Sequence, residues 1–195
     1  MFQNQILFPP RVATLLATVF ALGMVYTDAT ARQQKPQPKI EAIDLARMIH
    51  TQINKNRKKH GLQPLVWNDA LSRIAAKHSR DMADRNYLDH ATPEGKNFPD
   101  RYQQDGFACE IRAGSTIYTG AENIALSRIY NSTIKEKGVV YYNWNSVQEI
   151  ALKTVNGWMK SPMHRKNILT PYWRQEGIGV EIGSGNSIYI TQNFC

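Results

Sequence analysis

Cys109 and Cys195 are the two cysteines of this 195-residue chain. An even count in an oxidising compartment favours a bridge; two buried free thiols are the alternative. A bridge would tie the last residue, which otherwise frays, to a central loop. Closing a loop of roughly 85 residues stabilises by about 4 kcal/mol on the chain-entropy account. Catalytic signatures are scarcer. No His-Glu-x-x-His occurs, so a zincin-type peptidase has no local support. Ser79 and Ser161 lack a nucleophile context, which leaves no basis for a serine hydrolase. His78 falls on an apolar helical stripe, where imidazole is more often a satisfied core group than a ligand. Asn131-Ser132-Thr133 is a glycosylation sequon that only a suitable host would use.

Hydrophobic spacing gives the elements that must position such groups. Ile43, Ala46, Ile49 and Ile53 predict a helix over about 41–60, with Gly61 as its stop. An extended connection follows over 62–67. Asp69 is then expected to cap a second helix with Leu71, Ile74, Ala75, His78 and Met82 on one stripe, ending near Asn86. Residues 89–95 read as a loop, 99–105 as a short helix, and 122–125 as the opening of a further helical stretch. Ser146 and Glu149 fit a capping box, and Ile150, Ala151, Val155, Trp158 and Met159 continue that helix to Ser161-Pro162. Ile178, Val180 and Ile182 alternate, 183–186 turn, and Ile188 and Ile190 alternate again, as in a β-hairpin. The pattern is α+β.

The N-terminus differs from the rest. Arg11 precedes a nearly uncharged stretch over 12–26, and Ala29-Thr30-Ala31 supplies small residues at cleavage-site spacing. At about 15 residues the stretch is shorter than the roughly 20 a membrane span needs. Residues 1–31 therefore read as a cleaved signal peptide, with an uncleaved N-terminal anchor as the alternative, and either takes the chain out of the cytoplasm. Residues 32–40 are a polar, proline-containing linker and 41–195 one domain. The formal charge of +8 is unchanged by losing 1–31, since Arg11 and Asp28 cancel. That balance favours acidic surfaces. No basic run is interleaved with aromatics as in nucleic-acid sites, so no nucleic acid is expected as a partner. The densest cluster, Lys55–His60, sits where positive charge complements a helix C-terminus.

Several segments carry a resemblance. Residues 75–95 hold His-Ser-Arg-Asp-Met on a helix and then His90 just before Thr92-Pro93-Glu94-Gly95. Asp100-Arg101, Gly120-Ala121-Glu122-Asn123-Ile124-Ala125, the run Trp158 to Leu169 with Ser161-Pro162-Met163-His164-Arg165, Gly177-Ile178-Gly179-Val180, and Tyr189 to Phe194 follow in order. Together they are similar to bacterial-type members of the CAP (SCP-like) superfamily, over about residues 41–195. The resemblance implies a three-layer α-β-α sandwich with a central, mostly antiparallel sheet and a cleft holding His and Glu. His90 and Glu122 match the family's cleft residues, and His164 is added from the bacterial-type pattern. Ser161 stands about where a second glutamate would lie, and no histidine precedes Thr191-Gln192 on the final strand. That departure puts the metal geometry of eukaryotic relatives in doubt.

Two imidazoles and a carboxylate form a ligand set compatible with a divalent metal such as zinc, with room for water. Alternatively the three groups hydrogen-bond one another and tie loops to the sheet. The expected function is a secreted or cell-surface binding module for a lipid, peptide or cell-envelope component. A metal-dependent, peptidase-like hydrolase is the alternative. A membrane is a partner only if the N-terminal segment is retained. Asp81 and Arg101 are expected to form a loop-fixing pair. Asn123 is expected to cap a turn, and Arg165 to clamp an anion or join a surface ion pair.

Overall fold

The computed structural model describes residues 33–195, so the expected signal or anchor segment lies outside the described residues. In chain order the elements are α1 (Ala42–Lys59), β1 (Val66–Trp67), α2 (Asp69–Arg85), α3 (Phe98–Gln104), β2 (Ile111–Ala113), β3 (Thr116–Tyr118), β4 (Ala121–Arg128), β5 (Tyr130–Glu136), β6 (Val139–Trp144), α4 (Val147–Lys160), α5 (Pro162–Leu169), β7 (Gln175–Ile182) and β8 (Ser187–Phe194). No helix among the described residues is long and apolar enough to cross a membrane.

The central sheet has the order β1-β7-β8-β4, with β1–β7 parallel and the other two pairs antiparallel. Side chains alternate across a strand, so each face of the sheet needs its own cover. Leu45, Ala46, Ile49 and Ile53 of α1 join Ile150, Ala151, Val155 and Trp158 of α4, Ile168 of α5, and Ile178, Val180, Ile188 and Ile190 of the sheet in the larger core. On the other face α2 lies directly on β7. A Cβ at Gly177 would stand 2.1 Å from the backbone nitrogen of Ser72, and one at Gly179 would stand 2.0 Å from that of Ala76. The result is the three-layer α-β-α arrangement. A smaller cluster of Leu71, Ile74, Tyr102, Cys109 and Cys195 extends the second layer. The Cys109–Cys195 disulfide, with its Cα atoms 5.6 Å apart, closes it.

Several local expectations are corrected. Ile43 is 55% exposed, because the buried stripe of α1 runs through Leu45, Ile49 and Ile53 and Ile43 lies roughly 200° round the helix from Leu45. Asn68, not Asp69, caps α2, its side chain accepting from the Leu71 N–H at 3.0 Å. Asp69 is the first helical residue, where a carboxylate complements the helix dipole. Residues 122–125 are not helical. They belong to β4, which pairs with β8 residue for residue from Ala121↔Phe194 to Arg128↔Ser187. That ladder outweighs the weak local helical preference of Glu-Asn-Ile-Ala.

Candidate functional site

Glu122 is the centre of the site. It points from β4 to the α2 face of the sheet and is almost wholly buried, with its side chain 1% exposed. Arg101, midway along α3, places Nη2 2.5 Å from Glu122 Oε2. His90 Nδ1 stands 2.9 Å from Glu122 Oε1. Both carboxylate oxygens are thereby engaged. His90 keeps 47% of its side chain exposed, and its Nε2 has no hydrogen-bond partner among the described residues.

The loop carrying His90 is held from several sides. Arg101 Nη1 donates to the carbonyls of His90 and Lys96, each at 3.0 Å. His78 Nε2 donates to the carbonyl of Asp89 at 3.0 Å. Burial is the largest influence on that buried imidazole and pushes it below its ordinary pKa. Arg85 donates to both oxygens of Glu94, holding that carboxyl at about 2, and also to Asp81. Tyr87 also donates to Asp81, and burial followed by that partner raises the phenol to about 12. The expected Asp81–Arg101 pair does not form. Asp81 is taken by Arg85, four residues on along the same helix face, while Arg101 is committed to Glu122.

His164 reaches the site from α5. Asn123 Nδ2 donates to the His164 carbonyl at 3.3 Å and to Gln192 Oε1 at 3.0 Å. Asn167 Nδ2 donates to Asn123 Oδ1 at 2.9 Å and to the Glu122 carbonyl at 3.1 Å. Asn123 therefore ties α5 to the sheet rather than capping a turn. The buried Arg57 secures the far end of α5, donating to the carbonyls of Ile168 and Thr170 at 2.7 and 2.9 Å. Partial burial, then the neighbouring His90, lower the pKa of His164. No hydrogen bond joins His164 to His90 or Glu122 among the described residues. Arg165 is exposed and joins no ion pair among them.

A second His–Glu pair was missed at the level of sequence. Glu176 of β7 is fully buried, and His50 Nδ1 of α1 lies 2.6 Å from its Oε1. Gln192 Nε2 donates to its Oε2 at 2.5 Å. Glu176 pairs with Phe194 and Glu122 with Asn193, so the two glutamates face opposite sides of the sheet. The signal available was Glu176 in phase with Ile178, Val180 and Ile182 on the apolar face of β7, where an unpaired charge would be costly.

The donor set does not fit the expected three-ligand metal site. Each oxygen of Glu122 already accepts a hydrogen bond, one of them from a fixed guanidinium whose charge opposes a cation. No group of three or more His, Cys, Asp or Glu side chains among the described residues is arranged to hold a metal ion. The arrangement instead presents one anchored, half-exposed imidazole on a rigid loop.

The profile of the cysteine-rich secretory protein family (CAP) matches residues 50–194. The uncharacterized protein YkwD of Bacillus subtilis is 35% identical over 132 residues, which cover 67% of this chain and 40% of that protein. A solved extracellular protein of Bacillus anthracis containing an SCP domain is similar at 25% identity and a TM-score of 0.57, over 78% of this chain and 40% of that one. An outer surface protein of Borrelia burgdorferi superposes with a TM-score of 0.59 at 16% identity, over 82% of this chain and 97% of that one. The chain spans 33–40% of the length of the curated relatives it matches.

Proposed function

Because the chain belongs to the cysteine-rich secretory protein (CAP) family, we propose that it acts outside the cytoplasm as a binding module whose recognition group is His90. The observation that carries this reading is the division of labour at Glu122. Each of its oxygens holds a partner, Arg101 on one and His90 on the other, so the buried carboxylate serves first as the anchor that orients the imidazole. The imidazole it orients is left half-exposed with Nε2 open, the geometry of a contact residue. An extracytoplasmic location draws support from the extracellular SCP-domain protein it resembles.

The test is a titration of the full chain followed at the histidine ring nitrogens by NMR. The probes are phosphatidylglycerol vesicles, solubilised wall fragments and zinc chloride, each also run against His90→Ala. A saturable shift of His90 with vesicles or wall fragments, lost in the variant, is expected. Zinc that saturates His90, His164 and Glu122 together would move the reading to the metal-dependent hydrolase. No saturable response to any probe would end the binding-module reading.

A further inference from the structure

β4 is the outer strand of the central sheet, and its free edge faces α4 across a groove of about 470 Å³. An open edge is a template for another strand, and folded proteins usually blunt it. Here the blunting is incomplete. The outward carbonyls along β4 belong to alternate residues. That of Glu122 accepts from Asn167 at 3.1 Å, that of Ile124 from Trp158 Nε1 at 2.9 Å, and that of Arg128 from Asn145 at 3.2 Å. Leu126 completes the series and has no such donor among the described residues. Its side chain adds to the opening, with the residue 45% exposed.

The facing wall of the groove is equally specific. Gly157 lines it from the last turn of α4, where a Cβ would meet nothing within 4 Å. Among the described residues Lys153 is the only Lys, Arg, Asp or Glu side chain lining the groove; its Nζ donates to Asn131 at 2.9 Å, and Glu149, one turn back on α4, lies within its electrostatic reach outside the lining. Lys153 Nζ reaches Asn145 at 2.6 Å, at the Arg128 end, whereas Trp158 marks the Ile124 end. His164 and Ser161 close that second end.

We propose that this groove binds an extended peptide as an added antiparallel strand centred on Leu126. One peptide residue opposite Leu126 exchanges both backbone hydrogen bonds with it, which suits a gap a single residue long. The side chains on either side of that residue point toward α4. Antiparallel direction puts the earlier one by Lys153 and the later one over Gly157. The recognised pattern is an acidic residue, any residue, then an apolar residue. This inference rests on the binding-module reading and gives that module a ligand class at a second face.

The test uses the full chain and the capped peptide acetyl-Thr-Glu-Thr-Val-Thr-amide. Amide hydrogen exchange at Leu126 is expected to slow at least about tenfold on saturation, the scale of one well-made hydrogen bond. Methylating the central threonine's amide nitrogen removes one donor and leaves the side chains, and should weaken binding about tenfold. Gly157→Leu should block the peptide without disturbing the fold, since leucine favours a helix and the space is open. Equal affinity for the methylated peptide, or an unchanged Leu126 amide, overturns the proposal. So does Leu126 protection that grows with protein concentration alone, which would assign the edge to a second copy of the chain. If the peptide fails while vesicles or wall fragments still shift His90, the binding module stands and this groove falls.

Discussion

Arg101 Nη2 and Glu122 Oε2 meet at 2.5 Å, with side chains 9% and 1% exposed. Breaking such a pair from one side leaves a buried charge without compensation, which costs about 3–5 kcal/mol. Arg101→Ala is therefore expected to lower stability by about 3 kcal/mol. An Arg101→Met/Glu122→Gln double variant should lose clearly less, because no unpaired charge remains. Urea denaturation of the three proteins checks this. A double variant as unstable as Arg101→Ala would mean that the loop contacts of Arg101, not the charge pair, carry the effect.

Two glycines should answer the same substitution in opposite directions. Gly179 admits the backbone of α2 so closely that a Cβ would stand 2.0 Å from the Ala76 nitrogen and 2.2 Å from the Ala75 carbonyl carbon. Gly179→Ala must push helix and sheet apart and should cost about 3 kcal/mol or prevent folding. Gly157 lies in the last turn of α4 with open space at its Cβ position. Gly157→Ala should stabilise by about 1 kcal/mol through helix propensity alone. Thermal unfolding of both variants is the measurement, and equal signs would contradict the packing described.

The helices were legible because their buried stripes follow the helical period: Leu71, Ile74, Ala75, His78 and Met82 all turn inward on α2. The hairpin of β7 and β8 was legible from strict alternation. β4 was not. Its first three residues, Ala121, Glu122 and Asn123, are all buried, so no period of two shows, and two of them are polar. β5 and β6 left no trace because both faces of that hairpin are largely solvated. At the site, the His90–Glu122 contact could be carried over from motif order. Arg101 as the partner of Glu122 could not, because the 21-residue separation holds no information about which acid it meets. His50 and Glu176 lie 126 residues apart and meet only once the sheet places β7 beneath α1.

The disulfide fastens the chain end. The Cys195 carbonyl accepts from the N–H groups of Arg174 and Gln175, each at 2.8 Å, so the C-terminus is also sewn into the start of β7. The sequence separation of 86 makes the bridge a long-loop constraint on the unfolded chain. Replacing both cysteines by serine should cost about 4 kcal/mol, with the fold retained at low temperature through those backbone bonds. Denaturant midpoints under oxidising and reducing conditions check the figure. A loss below about 1 kcal/mol would show that the reduced unfolded chain is already compact near these residues.

Acid should destabilise the fold in two stages. His78 and His164 both have folded pKa values below the ordinary 6.5, mainly through burial, with His90 adding to the effect at His164. For His78, Glu122 and Asp81 pull upward and Arg101 downward, and burial prevails. Between the folded value and 6.5 the unfolded chain binds more protons than the folded one, so stability rises with pH across that window. The full contribution is present above 6.5 and is lost as pH falls toward the folded values. Glu94 acts lower down. Arg85 holds it at about 2 against an ordinary 4.5, so its contribution is present above 4.5 and fades as pH falls toward 2. Melting temperature should therefore be highest above pH 6.5, decline through the range below it, and decline again below 4.5. Substituting His78→Gln keeps a donor for the Asp89 carbonyl but cannot titrate, so it should flatten the first decline and leave the second unchanged. A first decline as steep in that variant as in the parent chain would take His78 out of the account and leave His164 as the group responsible.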